Sequence, residues 1–119
     1  MELRGVHHVS INVSDLDETL AFYAGTLGLA VLPRPDGEIS VPGAWLGCPD
    51  GREIHLLVND VPDGKGQHFA FEVDDVDEIA AALDQAGHPA GQPAVIQGIC
   101  RQVFCHDPSG NLVEFNQRL

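Results

Sequence analysis

Four side chains of this sequence have the types and spacing to hold a metal ion. His8 and His68 stand 60 residues apart, His55 follows His8 by 47 residues, and Glu114 follows His68 by 46. Three imidazoles and one carboxylate suit one divalent transition metal per site, with Zn, Ni, Co, Mn and Fe all compatible. A neutral imidazole gives a nitrogen lone pair, and the carboxylate offsets part of the metal's charge. Four protein donors around a five- or six-coordinate ion leave one or two positions for water or a substrate oxygen. Spacing alone leaves open whether the four groups converge. An isolated histidine on a strand is more commonly structural or solvated, and that is the reading for His7, His88 and His106. Strand alternation turns His7 toward the opposite side from His8.

These four residues sit at matching places in an internal repeat. Sliding the sequence by 60 lays His8-Val9-Ser10-Ile11-Asn12-Val13-Ser14-Asp15-Leu16-Asp17-Glu18 on His68-Phe69-Ala70-Phe71-Glu72-Val73-Asp74-Asp75-Val76-Asp77-Glu78. The stretch Asp60-Val61-Pro62-Asp63-Gly64-Lys65-Gly66 between the copies has the composition of a loop. In the first copy Val9, Ile11 and Val13 alternate with polar residues, the period of a half-buried strand. Asp15 with Glu18 forms a capping-box pattern, and the helix that follows aligns Leu16, Leu20, Tyr23 and Leu27, with Gly28 as its stop. The second copy has Phe69, Phe71 and Val73 on a strand, the Asp75 to Glu78 cap, then Val76, Ile79, Ala80 and Leu83, and Gly87 as the stop.

Short strands between turns complete each copy: Ala44 to Gly47 and Glu53 to Val58 in the first, Ala94 to Gln97, Arg101 to Cys105 and Asn111 to Asn116 in the second. The expected fold class is α+β, a strand, a helix and about three strands used twice, in a single domain of module one (about 1–60) and module two (about 61–119). The helices must cover the apolar strand faces. His8 and His68 then face away from them, toward a trough that two curved mixed sheets would share.

Composition excludes several roles. The chain has 119 residues, enough for one domain with a real core. Six basic against eighteen acidic side chains leave a net charge of −12, which repels phosphate backbones and anionic lipid, so no nucleic-acid or membrane partner is expected. No apolar run approaches the roughly 20 residues of a bilayer span, and the start lacks the apolar stretch of a secretory signal. Cys48, Cys100 and Cys105 contain no Cys-x-x-Cys pair and read as reduced thiols of a cytoplasmic protein.

The opening His8-Val9-Ser10-Ile11-Asn12-Val13-Ser14-Asp15-Leu16, with Ala21-Phe22-Tyr23 and Leu27-Gly28-Leu29, resembles that of the vicinal oxygen chelate superfamily, also called the glyoxalase/bleomycin-resistance/dioxygenase family. The end, Phe104-Cys105-His106-Asp107-Pro108-Ser109-Gly110-Asn111-Leu112-Val113-Glu114, resembles its closing motif. Arg34-Pro35, Pro42-Gly43-Ala44-Trp45-Leu46, Ile54-His55-Leu56 and His68-Phe69-Ala70-Phe71-Glu72-Val73-Asp74 resemble a small single-domain glyoxalase-like branch. The resemblance covers nearly the whole chain. It implies paired βαβββ modules forming a cup around one divalent metal, with His8, His68 and Glu114 at ligand positions. His55 falls where glyoxalase I enzymes place a ligand Glu and epimerases a Gln. It would ligate, serve as a base, or sit just beyond the ligands, leaving Glu114 as the one carboxylate able to shuttle a proton at the metal.

The implied chemistry is metal stabilisation of an enolate on a small-molecule substrate that chelates through adjacent oxygens, with Glu114 or His55 moving the proton, as in a lyase or isomerase. With Fe(II) on His8, His68 and Glu114 the same set would suit an extradiol-type dioxygenase. A third implied class is a non-enzymatic, bleomycin-resistance-like drug binder, for which an acidic surface would suit a cationic drug. Trp45, Phe104 and Arg101 are candidate substrate-contacting residues, with core packing the commoner role for the two aromatics. An inward Arg101 would favour an anionic group, whereas pairing with a surface acid would remove it from the site. The resemblance also implies a homodimer in which each metal is shared, His8 and His55 from one subunit and His68 and Glu114 from the other.

Overall fold

The computed structural model describes residues 1–119, which divide into two compact units, Met1–Pro62 and Asp63–Leu119. The first unit runs β1 (His8–Val13), α1 (Leu16–Leu20) continued by a π-helical segment (Ala21–Thr26), β2 (Ala30–Leu32), β3 (Gly43–Gly47) and β4 (Glu53–Val58). Its sheet has the order β1-β4-β3-β2, with β1 and β4 parallel and the other pairs antiparallel. The second unit runs β5 (His68–Glu72), α2 (Val76–Gln85), β6 (Ala94–Ile96), β7 (Cys100–His106) and β8 (Leu112–Arg118), in the order β5-β8-β7-β6 with β5 and β8 parallel. Each unit is thus a βαβββ module with a four-stranded mixed sheet, and the α+β expectation holds.

Local chemistry starts both helices. The Asp15 carboxylate accepts from the Glu18 amide, and Asp75 accepts from the amides of Asp77 and Glu78, satisfying donors that the first helical turn leaves without partners. Gly28 and Gly87 follow the helices at φ of +78° and +85°, a conformation that costs glycine little.

The first helix departs from the expected stripe. It widens into a π-turn after Leu20, the Leu27 amide bonding the Phe22 carbonyl five residues back. The wider turn rotates the residues after it; Thr19, Phe22 and Tyr23 are buried while Leu16, Leu20 and Leu27 are only partly covered. Strand β2 adds an edge that alternation did not reveal, because it has only three residues, two of them exposed.

Each core lies between helix and sheet. In the first unit Val13, Ala44, Leu46, Ile54 and Leu56 are buried beneath Phe22 and Tyr23. In the second, Val103, Cys105, Val113 and Phe115 pack with Val76 and Leu83 of α2. Because successive strand residues point to opposite faces, burying these sets forces His8, Trp45 and His55 in one unit, and His68, Phe104 and Glu114 in the other, onto the face away from the helix.

Candidate functional site

In the second unit, parallel pairing sets Ala70 opposite Glu114, and His68, two residues before Ala70, shares their face. The His68 Nε2 lies 3.0 Å from Oε1 of Glu114. Asn116, two residues beyond Glu114 on β8, donates from Nδ2 to Oε2 at 2.7 Å and turns the carboxylate toward His68. The other ring nitrogen, Nδ1, lies 2.8 Å from the carbonyl oxygen of Gly66. A carbonyl can only accept, so Nδ1 carries a proton there. In the neutral ring Nε2 then holds a lone pair, aimed at a carboxylate oxygen. Two acceptors 3.0 Å apart repel unless a cation lies between them, either a second proton on the ring or a metal ion. Ligands about 2.1 Å from one ion, about 90° apart, are separated by about 3 Å. The spacing and donor types of this pair therefore fit a divalent metal. Phe104, opposite Glu114 on β7, sets its ring edge-on to His68 with centroids 5.2 Å apart.

The first unit has the corresponding arrangement. Ser10 pairs with His55 as Ala70 pairs with Glu114, so His55 occupies the place of Glu114. The rings of His8 and His55 stack with centroids 4.0 Å apart and planes 15° apart, and Trp45 stacks on His55 at 4.6 Å and 13°. Because β4 lies between β1 and β3, the buried His55 ring is held between His8 and Trp45. Its Nε2 lies 2.9 Å from Oε1 of Glu53. This hydrogen bond is the main reason the Glu53 carboxyl titrates below the ordinary glutamate range. His8 is held below the usual histidine value first by lost solvation, then by its neighbours His55 and His7, against the attraction of Glu53. A neutral His8 keeps the lone pair a metal needs.

Two expectations are corrected. His7 does not turn to the helix side. It precedes β1, is exposed, and places Nδ1 2.9 Å from Nδ1 of His8. Strand alternation did not apply because the strand begins one residue later. Arg101 does not face the candidate ligands either. It pairs with Gln117 across β7 and β8, an odd number of residues from Phe104, and so projects to the helix side. There its guanidinium bonds Asp77 of α2 at 2.7 Å. Trp45 and Phe104 do lie on the ligand-bearing faces.

The structure brings the four predicted donors together as two pairs, His8 with His55 and His68 with Glu114, and gathers no group of three or more histidine, cysteine or acidic side chains around one point. Glu53 and Asn116 were missed from sequence. Each stands two residues from a candidate, His55 and Glu114, on the same strand, and period-two counting outward from those residues would have found both.

The sequence profile of the Glyoxalase/Bleomycin resistance protein/Dioxygenase superfamily matches residues 5–115. The chain belongs to this superfamily. Lactoylglutathione lyase of Haemophilus influenzae is 31% identical over 119 residues, which cover 91% of this chain and 88% of that protein. A glyoxalase family protein from Bacillus anthracis superposes with a TM-score of 0.87 at 27% identity, covering 100% of this chain and 98% of that one. TnmS3, an antibiotic binding protein from Streptomyces sp. CB03234, superposes at 0.74 with 28% identity, covering 100% and 99%. Within the superfamily both lyases and antibiotic binders are thus similar to this chain, and its donor residues bear on the choice between them.

Proposed function

We propose that this glyoxalase-superfamily chain is a divalent-metal-dependent enzyme of lyase or isomerase type. Its substrate is a small molecule that chelates the metal through adjacent oxygens. His8, His68 and Glu114 are the proposed ligands, with His55 as a fourth ligand or a base, and Zn, Ni, Co, Mn or Fe as the ion. The observation that carries this reading is His68 Nε2 lying 3.0 Å from Glu114 Oε1, with Nδ1 committed to the Gly66 carbonyl. The likeness to a lactoylglutathione lyase supports the reaction class.

When bound, the metal would act as a Lewis acid that lowers the cost of forming an enolate beside a chelating oxygen. The protein's residues do the rest. Glu114, its Oε2 held by Asn116, is fixed in one orientation and takes the proton from the substrate carbon. The neighbouring carbon then receives the proton back from the same carboxyl, which restores Glu114. Trp45 and Phe104, beside His55 and His68, offer aromatic surface that excludes water from the reacting carbons. A homodimer sharing its metal sites, and a cytoplasmic location suggested by three free cysteines, belong to the same proposal.

A second reading is a binder of cationic drugs. The likeness to TnmS3 and the net charge of −12 favour it. Elemental mass spectrometry on untagged protein beside a His68→Ala control separates the two. About one transition metal per chain, lost in the control, is expected for the enzyme. No metal, and no uptake when each ion is added, would overturn it and leave drug binding. Iron together with oxygen consumption on a catechol would redirect the chemistry to a dioxygenase. Mixing inactive His8→Ala and Glu114→Ala chains should restore some activity if sites are shared between subunits, and no rescue after verified exchange would refute the sharing.

A further inference from the structure

Glu53 makes a polar contact with the buried His55 ring. Its Oε1 lies 2.9 Å from His55 Nε2, and its side chain is itself largely covered. Stacking against His8 and Trp45 holds the plane of the ring, and in this orientation Nε2 is the atom that meets the carboxylate. A carboxylate only accepts hydrogen bonds, so Nε2 must be the protonated nitrogen, and the lone pair of the neutral ring is left on Nδ1. His68 differs: its Nδ1 proton goes to the Gly66 carbonyl, so the lone pair falls on Nε2 when the ring is neutral.

We infer that Glu53 is a positioning residue that locks His55 in the Nε2–H tautomer, so that His55 acts through Nδ1, as ligand or base, while His68 acts through Nε2. A carboxylate behind an imidazole also fixes its orientation. Glu53 thereby gives the first unit a carboxylate beside its imidazole, as Glu114 gives the second, although the position matching Glu114 is itself a histidine. This assignment rests on the proposed function for the role of His55's working nitrogen, while the geometry behind it lies within the first unit alone.

The test is the pattern of long-range nitrogen–proton couplings of 15N-histidine-labelled, metal-free protein at mildly alkaline pH, where imidazole is neutral. A His55→Asn chain assigns the signals. Wild-type His55 is expected in the Nε2–H form and His68 in the Nδ1–H form. Glu53→Gln, which keeps a carbonyl acceptor, should retain the His55 tautomer, whereas Glu53→Ala should let the Nδ1–H form appear. A wild-type His55 in the Nδ1–H form would overturn the inference, and so would a Glu53→Ala chain with unchanged tautomer. If Glu53→Ala does not fold, the wild-type and Glu53→Gln spectra still decide. Titration with cobalt(II) adds a second readout, in which Glu53→Ala should weaken binding about 10- to 100-fold. A loss as complete as that of His68→Ala would make Glu53 a direct ligand and overturn the positioning role. If wild type takes up no cobalt, the proposed function fails, while the tautomer spectra still judge Glu53.

Discussion

His68 and Glu114, 46 residues apart in sequence, meet at 3.0 Å because β5 and β8 pair in parallel with Ala70 opposite Glu114. If a metal fills the gap between these two acceptors, removing either should release it. Glu114→Ala and His68→Ala are expected to drop bound metal to background in elemental mass spectrometry. His106→Ala, at the exposed end of β7, should leave it unchanged. Retention of metal by Glu114→Ala would refute ligation by this carboxylate.

Gly43 offers a test of how tightly β3 and β4 approach. A Cβ built there would lie 2.1 Å from the Leu56 carbonyl oxygen, backbone that cannot move aside without opening the strand pair. At Gly47 on the same strand the nearest atoms are Leu32 methyls at 3.1 and 3.3 Å, which can rotate. Gly43→Ala is therefore expected to cost about 1–3 kcal/mol, and Gly47→Ala less. Equal midpoints for the two variants in urea denaturation would contradict the close approach.

The two caps differ in kind. Asp75 accepts from two amides of α2, Asp15 from one amide of α1. Asp75→Ala should lower stability by about 1 kcal/mol, and Asp15→Ala by less, when thermal or denaturant unfolding is followed by circular dichroism.

Cys105 is buried, and burial with the nearby Asp107 carboxylate pushes its thiol up to about 11. The native thiol should resist iodoacetamide near neutral pH, while the unfolded chain reacts. The folded state keeps its proton at a pH where the unfolded thiol loses one. Stability should therefore fall as pH rises from the ordinary thiol range toward about 11. Replacing Cys105 with alanine should flatten that decline in melting temperature, and an unaltered slope would show that other groups cause it.

What the sequence determined by itself was local. The Asp15 and Asp75 caps, the alternation around Val9 to Val13 and Phe69 to Val73, and the glycine stops at Gly28 and Gly87 all follow from hydrogen bonds and side-chain periods within a few residues. The internal repeat extended this reading to a βαβββ module used twice, and placed His8 and His68 on the faces opposite the helices. The tertiary structure decided what depends on register between strands distant in sequence. The parallel β1–β4 pairing stacked His8 on His55, and the β7–β8 register sent Arg101 to Asp77 on the far face. Of the expected stripe only Tyr23 is fully buried, beside Phe22 in the π-turn at Ala21–Thr26. The partners of the imidazoles, Glu53 for His55 and Gly66 for His68, were fixed by side-chain rotation and loop path, which no residue type specifies alone.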